Sequence, residues 1–240
     1  MEPRKPSPVE ILRTAPRRIP EIYFSLSCSP AASVHSSGPS RFNSITDSLF
    51  EDTMKSRLLL HICCAPDEAF VIQSLQAAFE LSCWFCNPNI QPENEYRKRL
   101  EEASRVAACY AVPFNAEPYN PESWHGATAG YHHTPEGGER CFHCFLLRFR
   151  STAHYCKKIE WPAFTSVMSI SPHKRIEMLD KAGTIAAREY NVEYKPFNFK
   201  KNDGFKKSII LSNELGLYRQ DYCGCILSRK ERDNRKSRIT

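Results

Sequence analysis

Six of the eleven cysteines stand in pairs that are close enough along the chain for both members of a pair to bind one metal. Cysteine thiolate is the soft ligand that selects iron–sulfur clusters, zinc or copper(I). A closed zinc site needs four ligands, so six thiols are too many for it. They fit a four-cysteine cluster with a second metal, or a cluster with additional redox thiols. The pairs are Cys63 and Cys64, Cys141 and Cys144, and Cys223 and Cys225.

Each pair stands at a position that suits a metal ligand. The first pair ends a predicted strand, where open α/β sheets place their ligand sites. The second pair begins a predicted helix, whose dipole favours the thiolate form. The third pair encloses Gly224, which lets the backbone turn so that both sulfurs face one metal.

An aspartate lies beside the first pair. Asp67 follows Cys64 by three residues and comes just after Pro66. Its carboxylate is either an oxygen ligand of a second metal or the N-cap of the following helix, and the sequence leaves both readings open.

The other cysteines are predicted to serve no metal. Cys83 and Cys86 form a CxxC on a predicted strand, where side chains three residues apart point to opposite faces. Cys109 and Cys156 fall on helices among apolar neighbours and are expected to be small buried residues. Cys28 lies in the N-terminal segment.

Composition places the chain among globular proteins that work in a reducing compartment. The 240 residues are 41% hydrophobic and 25% charged, and no apolar run approaches the roughly 20 residues that span a bilayer. No export signal is recognisable, so we expect a cytoplasmic protein without a membrane partner. Clustered thiols then indicate metal or redox chemistry. The net charge of +6 weakly favours a polyanionic partner such as a nucleic acid.

Three segments differ in composition. Residues 1–55 are rich in proline and serine and are predicted to be disordered, or to be an over-long gene prediction with translation starting at Met54. Residues 56–228 carry the cysteine pairs and form the predicted catalytic, metal-binding α/β domain. Residues 229–240 form a basic C-terminal tail, which either binds RNA or serves solubility.

Within the central segment, apolar runs alternate with helical periods, as in a mostly parallel sheet flanked by helices. A loop is predicted over residues 118–140, which are rich in Gly, His and Pro. The predicted strands cover residues 57–63, 81–86, 112–117, 163–169 and 194–199. The predicted helices cover residues 67–79, 92–109, 141–159 and 208–215. Another predicted helix follows Pro172 and His173 and ends near Tyr190.

Read together, several motifs resemble the epoxyqueuosine reductases of the QueH type. The resemblance runs from about residue 57 to 228. Each motif alone is weak, but the combination in this order is specific. The motifs are LLLHICCAPD at 58–67, NPNIQP at 87–92 with Glu95, Tyr96 and Arg99, PEGGERC at 135–141 continuing through Cys144 and Arg148 to Thr152 and Ala153, SISPHK at 169–174 and LYRQDYCGC at 217–225.

The resemblance implies a HUP-like, Rossmann-like α/β fold and an enzyme that converts epoxyqueuosine to queuosine at the wobble position of tRNA. It also implies a [4Fe-4S] cluster with an adjacent mononuclear iron, and no cobalamin. Four thiols would hold the cluster, and two thiols with Asp67 would hold the extra iron, but the sequence does not say which thiols serve which metal. The implied ligands are Cys63, Cys64, Asp67, Cys141, Cys144, Cys223 and Cys225.

Reduction of an epoxide to an alkene needs electrons, an oxophilic Lewis acid and a proton donor. Beside Asp67, the predicted catalytic residues are His173, Lys174 and Tyr218, with His173 and Lys174 preferred for proton supply. His61 is a further proton-donor candidate, and a hydrogen-bonded core histidine is the other reading. The electron donor is a separate, unidentified partner.

Three arginines are predicted to bind the tRNA substrate. Arg140 and Arg219 lie beside the predicted metal loops, where they can meet phosphates. Arg148, one helical period after Cys144, can bind substrate, balance the charge of a cluster, or form a surface ion pair.

Two other functions compete with this interpretation. One is another iron–sulfur tRNA-modifying enzyme, such as a thiolase of the PP-loop type. That class needs an SGGxDS-like phosphate loop after the first strand, where this chain has the first cysteine pair. The other is a zinc-stabilised RNA-binding module, which would hold zinc and no iron.

Overall fold

The computed structural model describes residues 55–238, and they contain one five-stranded parallel sheet. The strand order is β3-β2-β1-β4-β5, which is the order of a Rossmann-like sheet. The predicted α/β fold class is confirmed. The strands are β1 (Ser56–Ile62), β2 (Phe79–Phe85), β3 (Phe114–Ala116), β4 (Ala163–Ser166) and β5 (Glu193–Tyr194).

Seven α-helices accompany the sheet in the described part of the chain. Pro66 in the first turn of α1 presets the backbone for a helix, and two acidic residues in the same turn complement the helix dipole. None of these helices has an apolar stretch long enough to cross a bilayer. The helices are α1 (Ala65–Leu75), α2 (Glu93–Cys109), α3 (Pro121–Thr128), α4 (Glu139–Lys158), α5 (Ile176–Tyr190), α6 (Gly204–Glu214) and α7 (Ile226–Lys236).

The sheet is buried on both faces, as a parallel sheet requires. Leu58, Leu60 and Ile62 of β1 pack in one apolar cluster with α1 and α2, and α6 lies along the same cluster. Leu59 points to the opposite face and packs with α4 and α5. All four side chains are fully buried. Helices on both faces therefore fix β1 at the centre of the domain.

Strand order determines where a site can form. β1 pairs with β2 on one side and with β4 on the other, so the chain turns in opposite directions from β1. Ligand sites of open α/β sheets lie outside the carboxyl ends of the strands at such a switch point. β1 ends at Ile62 and β4 ends at Ser166, and the residues directly after these two strands lie at this edge.

Several sequence predictions need correction. The predicted loop over residues 118–140 contains α3, because Asn120 caps the helix by accepting a hydrogen bond from the Ser123 amide and Pro121 starts it. The fourth strand ends at Ser166 and continues as a 3₁₀ helix over Val167–Ile170. Most of the predicted basic tail, residues 229–236, lies in α7.

The remaining cysteines follow the sequence predictions except for one. Cys83 and Cys86 pack in the two clusters on opposite faces of the sheet, so they cannot bind one metal together. Cys156 is fully buried as predicted. Cys109 is exposed, so the prediction of a buried residue was wrong. The predictions for residues 1–54, including Cys28 and the start at Met54, fall outside the described residues.

Candidate metal centre

The first cysteine pair and the aspartate gather at the carboxyl end of β1. Cys63 and Cys64 follow the last residue of the strand, and Cys64 is the N-cap of α1. Asp67 lies in the first turn of that helix, so the N-cap interpretation of Asp67 was wrong. The two thiols are 3.9 Å apart, and the ligand atoms of all three residues lie within 4.8 Å of one another. One metal ion fits among such donors.

Without a metal, these three side chains do not readily carry negative charge at the same time. The hydrogen bond between the two thiols lowers the pKa of Cys63 and, with burial, raises the pKa of Cys64 well above its usual value. Burial also raises the pKa of Asp67. A cation among them would stabilise the thiolates and the carboxylate, so the donor set fits a metal.

The other four thiols form a second group. Cys141 lies in the first turn of α4, where its sulfur accepts a hydrogen bond from the Gly137 amide at 3.2 Å. Cys225 is the N-cap of α7, and it packs with Cys144 and Trp124 in one small buried cluster. The charge of Cys223 acts on the other three thiols of this group.

Burial makes these thiols weak acids when no metal is bound. It raises the pKa of Cys144 to about 12, with Arg148 opposing the change and the thiol of Cys223 adding to it. Burial is also the main cause of the raised pKa values of Cys141 and Cys225. Four interacting thiols of this kind are chemically suited to an iron–sulfur cluster, whose irons replace the protons. Among the described residues, however, only Cys63, Cys64 and Asp67 form a group of three or more candidate ligands within 4.8 Å of one another.

Two cations lie between the two groups. The Lys174 ammonium donates a hydrogen bond to the Cys223 sulfur at 2.9 Å and also interacts with Cys63. The Arg148 side chain is buried and interacts with the thiols of Cys144, Cys63 and Cys223. Burial alone would lower the pKa of both cations, but the surrounding thiolates outweigh it and raise the pKa of each. The structure thus provides positive charge where several thiolates would meet.

The loop that carries Cys223 and Cys225 is fixed by its neighbours. Gly224 has a φ of +133°, a conformation that L side chains rarely adopt. A Cβ atom there would lie 3.0 Å from Ile90 and 3.1 Å from the side chain of Asn89. The carbonyl oxygen of Gly224 accepts a hydrogen bond from the Gln91 amide at 2.9 Å. The prediction that glycine allows this turn is confirmed.

The family follows from comparison with known proteins. The model of the family described as Epoxyqueuosine reductase QueH matches residues 58–231, which include all seven predicted ligands. The chain belongs to this family.

Individual relatives agree with the family match. The protein named Epoxyqueuosine reductase QueH from Haemophilus influenzae is 38% identical over 178 residues, which cover 73% of each chain. The protein of the same name from Thermotoga maritima is 34% identical over 186 residues, which cover 76% of this chain and 95% of that one. Among solved structures, the U34-tRNA thiolase NcsA from Methanococcus maripaludis with its [4Fe-4S] cluster aligns over 79% of this chain and 68% of that chain, at 11% identity and a TM-score of 0.44.

The predicted substrate arginines of this QueH family member differ in what they contact. Arg140 is buried, and it donates to the carbonyl oxygen of Thr134 at 2.6 Å and to the Glu231 carboxylate at 2.8 Å. Arg148 is 1% exposed and donates to Asn87 at 2.6 Å, which excludes a surface ion pair. Direct contact of either guanidinium with tRNA is excluded in this conformation. Arg140 instead ties the loop before α4 to α7, and Arg148 faces the thiols.

The third arginine lies nearer to the carboxylate. Arg219 is half-buried, donates to the Ser212 hydroxyl at 3.0 Å, and exerts its charge on Asp67. It is therefore placed beside the triad of Cys63, Cys64 and Asp67. A substrate group that entered there would meet a guanidinium.

The predicted proton donors have different surroundings. His173 is exposed next to Lys174. The Tyr218 hydroxyl donates to the Glu95 carboxylate at 3.0 Å, and burial followed by this carboxylate raises the pKa of Tyr218. His61 is fully buried and hydrogen-bonded to Ser166 and to the carbonyl oxygen of Cys86, so the interpretation as a core histidine is confirmed.

A surface cleft adjoins the Cys223 loop. It has a volume of about 180 Å³ and lies between the start of α2, the segment before Cys223 and the first turns of α7. Tyr218, Tyr222, Arg229 and Arg232 line it together with the carboxylates of Glu95 and Asp221. Arg232 pairs with Asp221 and Asp233, and cations lie over both tyrosine rings. Arg229 is the cleft residue whose positive charge has no carboxylate partner among the ion pairs of the described residues.

Sequence reasoning missed some residues that support the site. Arg99 holds the Cys223 loop, Asn87 orients Arg148, and the Gln220 amide interacts with the Cys64 thiol. All three stand in or beside the motifs that carried the resemblance. The sequence did carry a signal for the role of Arg99. It is a charged residue on the buried face of α2 that also carries Tyr96 and Ala103.

Proposed function

We propose that this chain reduces the epoxide of epoxyqueuosine in tRNA to the alkene of queuosine. The reaction takes up two electrons and two protons, breaks both carbon–oxygen bonds of the epoxide, and releases the oxygen as water. Membership of the QueH family supports the reaction, and the six thiols with Asp67 support the chemistry. Since the substrate is tRNA, we place the reaction in the cytoplasm.

The seven donors divide into two sets in this proposal. Cys63, Cys64 and Asp67 would hold a mononuclear iron, because their ligand atoms lie within 4.8 Å of one another. This triad is the observation that carries the proposal. The other four thiols would hold a [4Fe-4S] cluster, because two of them begin α4, the other two precede α7, and their charges interact with one another. They are Cys141, Cys144, Cys223 and Cys225.

The bound centre would supply electrons and a Lewis-acidic position for the epoxide oxygen. Three protein donors at the triad leave room for an oxygen ligand from the substrate. Arg219 lies beside Asp67, where its positive charge would favour an oxygen that gains negative charge.

Protons would enter from the exposed side of the site. His173 is exposed beside Lys174, so its imidazole is accessible to solvent. We propose its imidazole as the donor to the departing oxygen. Tyr218 is less suited, because its raised pKa and its hydrogen bond to Glu95 retain the phenolic proton.

The tRNA would lie along the cleft beside the Cys223 loop. Arg229 and Arg232 line it on α7, and four further basic residues follow within residues 230–238. Salt-dependent phosphate contacts are expected along this helix. The electrons would come from a separate reduced donor.

An anaerobic turnover assay tests the proposal. Protein reconstituted with iron and sulfide is mixed with tRNA that contains epoxyqueuosine and with dithionite, and the nucleosides are analysed by mass spectrometry. We expect loss of one oxygen from the modified nucleoside. Colourless protein that holds one zinc, or iron-loaded protein that leaves the epoxide intact, would contradict the proposal.

Two cysteines of α4 provide a matched pair of variants for this assay. Cys144→Ser removes a proposed cluster ligand, whereas Cys156→Ser changes a buried cysteine whose sulfur contacts the carbonyl oxygen of Trp161. We expect Cys144→Ser to lose iron and turnover and Cys156→Ser to keep both. Equal turnover of the two variants would remove Cys144 from the ligand set.

A further inference from the structure

Lys174 is a cation that contacts one donor set through Cys223 and whose charge acts on the other. It lies between the 3₁₀ helix Val167–Ile170 and α5. Its Nζ atom donates to the Cys223 sulfur at 2.9 Å. Its charge also acts on Cys63, Asp67 and Cys141. Cys63 and Asp67 belong to the triad, whereas Cys223 and Cys141 belong to the four-thiol group.

The lysine is held in this position by its surroundings. Its backbone amide donates to the carbonyl oxygen of Ser171 at 3.2 Å, and its own carbonyl oxygen accepts a hydrogen bond from the Lys200 ammonium. The Phe145 ring lies 5.7 Å from Nζ and shields one side of the ammonium. These contacts fix the backbone of Lys174 and direct its side chain toward the thiols.

We propose that Lys174 sets the reduction potential of the metal centre through its contact with Cys223. The inference rests on the proposed function, because it takes Cys223 as a cluster ligand. An N–H···S hydrogen bond withdraws electron density from the sulfur, and a nearby positive charge stabilises the state with one more electron. Both effects raise the potential and make the centre easier to reduce.

The same position has a second consequence. Because the charge of Lys174 also acts on Cys63 and Asp67 of the triad, a change of charge in either donor set alters the electrostatic energy of the same ammonium. Arg148 adds a second positive charge, but hydrogen bonds between its guanidinium and a cluster sulfur are absent among the described residues; its Nη2 donates to Asn87 instead. Lys174 is therefore the residue whose removal changes both the charge and a hydrogen bond at a ligand sulfur.

A role in tuning the potential differs measurably from a role in donating protons. Removal of a proton donor slows turnover and leaves the potential of the resting centre unchanged. Removal of a tuning residue shifts the potential whether or not substrate is present. The experiment therefore measures the potential of the holoprotein without tRNA.

The test is a redox titration of reconstituted protein, followed by electron paramagnetic resonance of the reduced cluster. The variants are Lys174→Met, which removes charge and hydrogen bond, and Lys174→Arg, which keeps both. Lys181→Met is the matched control, because Lys181 is exposed on α5 with its Nζ 5.0 Å from the Phe142 ring. Iron per chain is measured for every variant.

We expect a more negative midpoint potential for Lys174→Met, a smaller shift for Lys174→Arg, and the wild-type value for Lys181→Met. If Lys174→Met assembles less cluster, the midpoint potential is measured on Lys174→Gln instead, because glutamine removes the charge and keeps an N–H donor. A wild-type potential in the charge-free variants would overturn the inference. Wild-type protein without any cluster signal would instead overturn the proposed centre, and the inference with it.

Discussion

The Arg99 guanidinium donates a hydrogen bond to the carbonyl oxygen of Cys223, with 3.1 Å between Nη1 and O. Its second terminal nitrogen donates to the carbonyl oxygen of Tyr222 at 3.3 Å, and its Nε donates to Glu95 at 2.7 Å. Arg99 is only 2% exposed. One buried arginine of α2 therefore holds the loop that presents two proposed ligands.

Replacement of Arg99 by alanine should loosen that loop. It removes the donor of two carbonyl oxygens and leaves Glu95 with the Tyr218 hydroxyl but without a cation, and breaking a buried ion pair costs about 3–5 kcal/mol. We expect lower stability in denaturant titration and less iron per chain after anaerobic purification. Arg97→Ala is the control, because Arg97 forms an exposed pair with Glu93 in the same helix and its loss costs less than about 1 kcal/mol. Equal iron content in the two variants would contradict the assigned role.

Asp67 should matter for turnover more than for the cluster. Asp67→Ala removes the carboxylate of the triad but none of the four thiols between α4 and α7. We therefore expect protein that stays brown, contains about one iron less per chain, and does not reduce the epoxide. Asp67→Asn, which keeps the size of the side chain, should behave alike. Full turnover in either variant would show that the triad does not hold the second iron.

Metal binding should release protons. Because burial raises the pKa values of Cys141, Cys144 and Cys225, these thiols are protonated near neutral pH without metal. Each must lose its proton to bind iron, so affinity should rise by about tenfold per pH unit for every proton released. Anaerobic titration of metal-free protein with ferrous iron and a pH indicator dye measures the release. Affinity that does not change between slightly acid and slightly alkaline pH would argue against thiol ligands.

Two glycines provide a test of the packing around the sheet. A Cβ atom on Gly183 in α5 would lie 2.6 Å from the Tyr194 ring, so Gly183→Ala should cost about 1–3 kcal/mol. Gly126 in α3 has no atom within 4 Å of such a Cβ, and Gly126→Ala should be neutral or stabilise by up to about 1 kcal/mol. Thermal unfolding of both variants gives the comparison, and similar midpoints would show that α5 is packed otherwise.

Much of the fold was predictable because its strands and helices follow simple patterns. The β1 strand is centred on three consecutive leucines, Leu58 to Leu60, and Pro66 and the acidic residues after it mark the start of α1. The α3 helix was missed because its Gly and His content resembles a loop, although Asn120 and Pro121 are a helix-start signal. The composition of this segment indicated a loop, whereas its capping residues indicated a helix. Capping together with tertiary packing determined the structure.

The site was predictable in its residue types and less so in its contacts. Cysteine spacing separated the three pairs proposed as metal ligands from Cys83 and Cys86, which lie on opposite faces of the sheet. The burial of Arg140 and Arg148 could not be predicted, because both form contacts with residues distant in sequence, such as Glu231 and Asn87. Sequence spacing reports neighbours within one helix, whereas these partners meet through the tertiary fold.

The central claim is that one edge of this sheet holds a two-part iron centre on six thiols and Asp67. Mössbauer spectroscopy of anaerobically prepared protein, enriched in the Mössbauer-active iron isotope, tests it most directly. We expect the signal of a [4Fe-4S] cluster together with that of one separate ferrous site, and loss of the separate site alone in Asp67→Ala. A cluster signal without a second site, or a protein that binds only zinc, would contradict the claim.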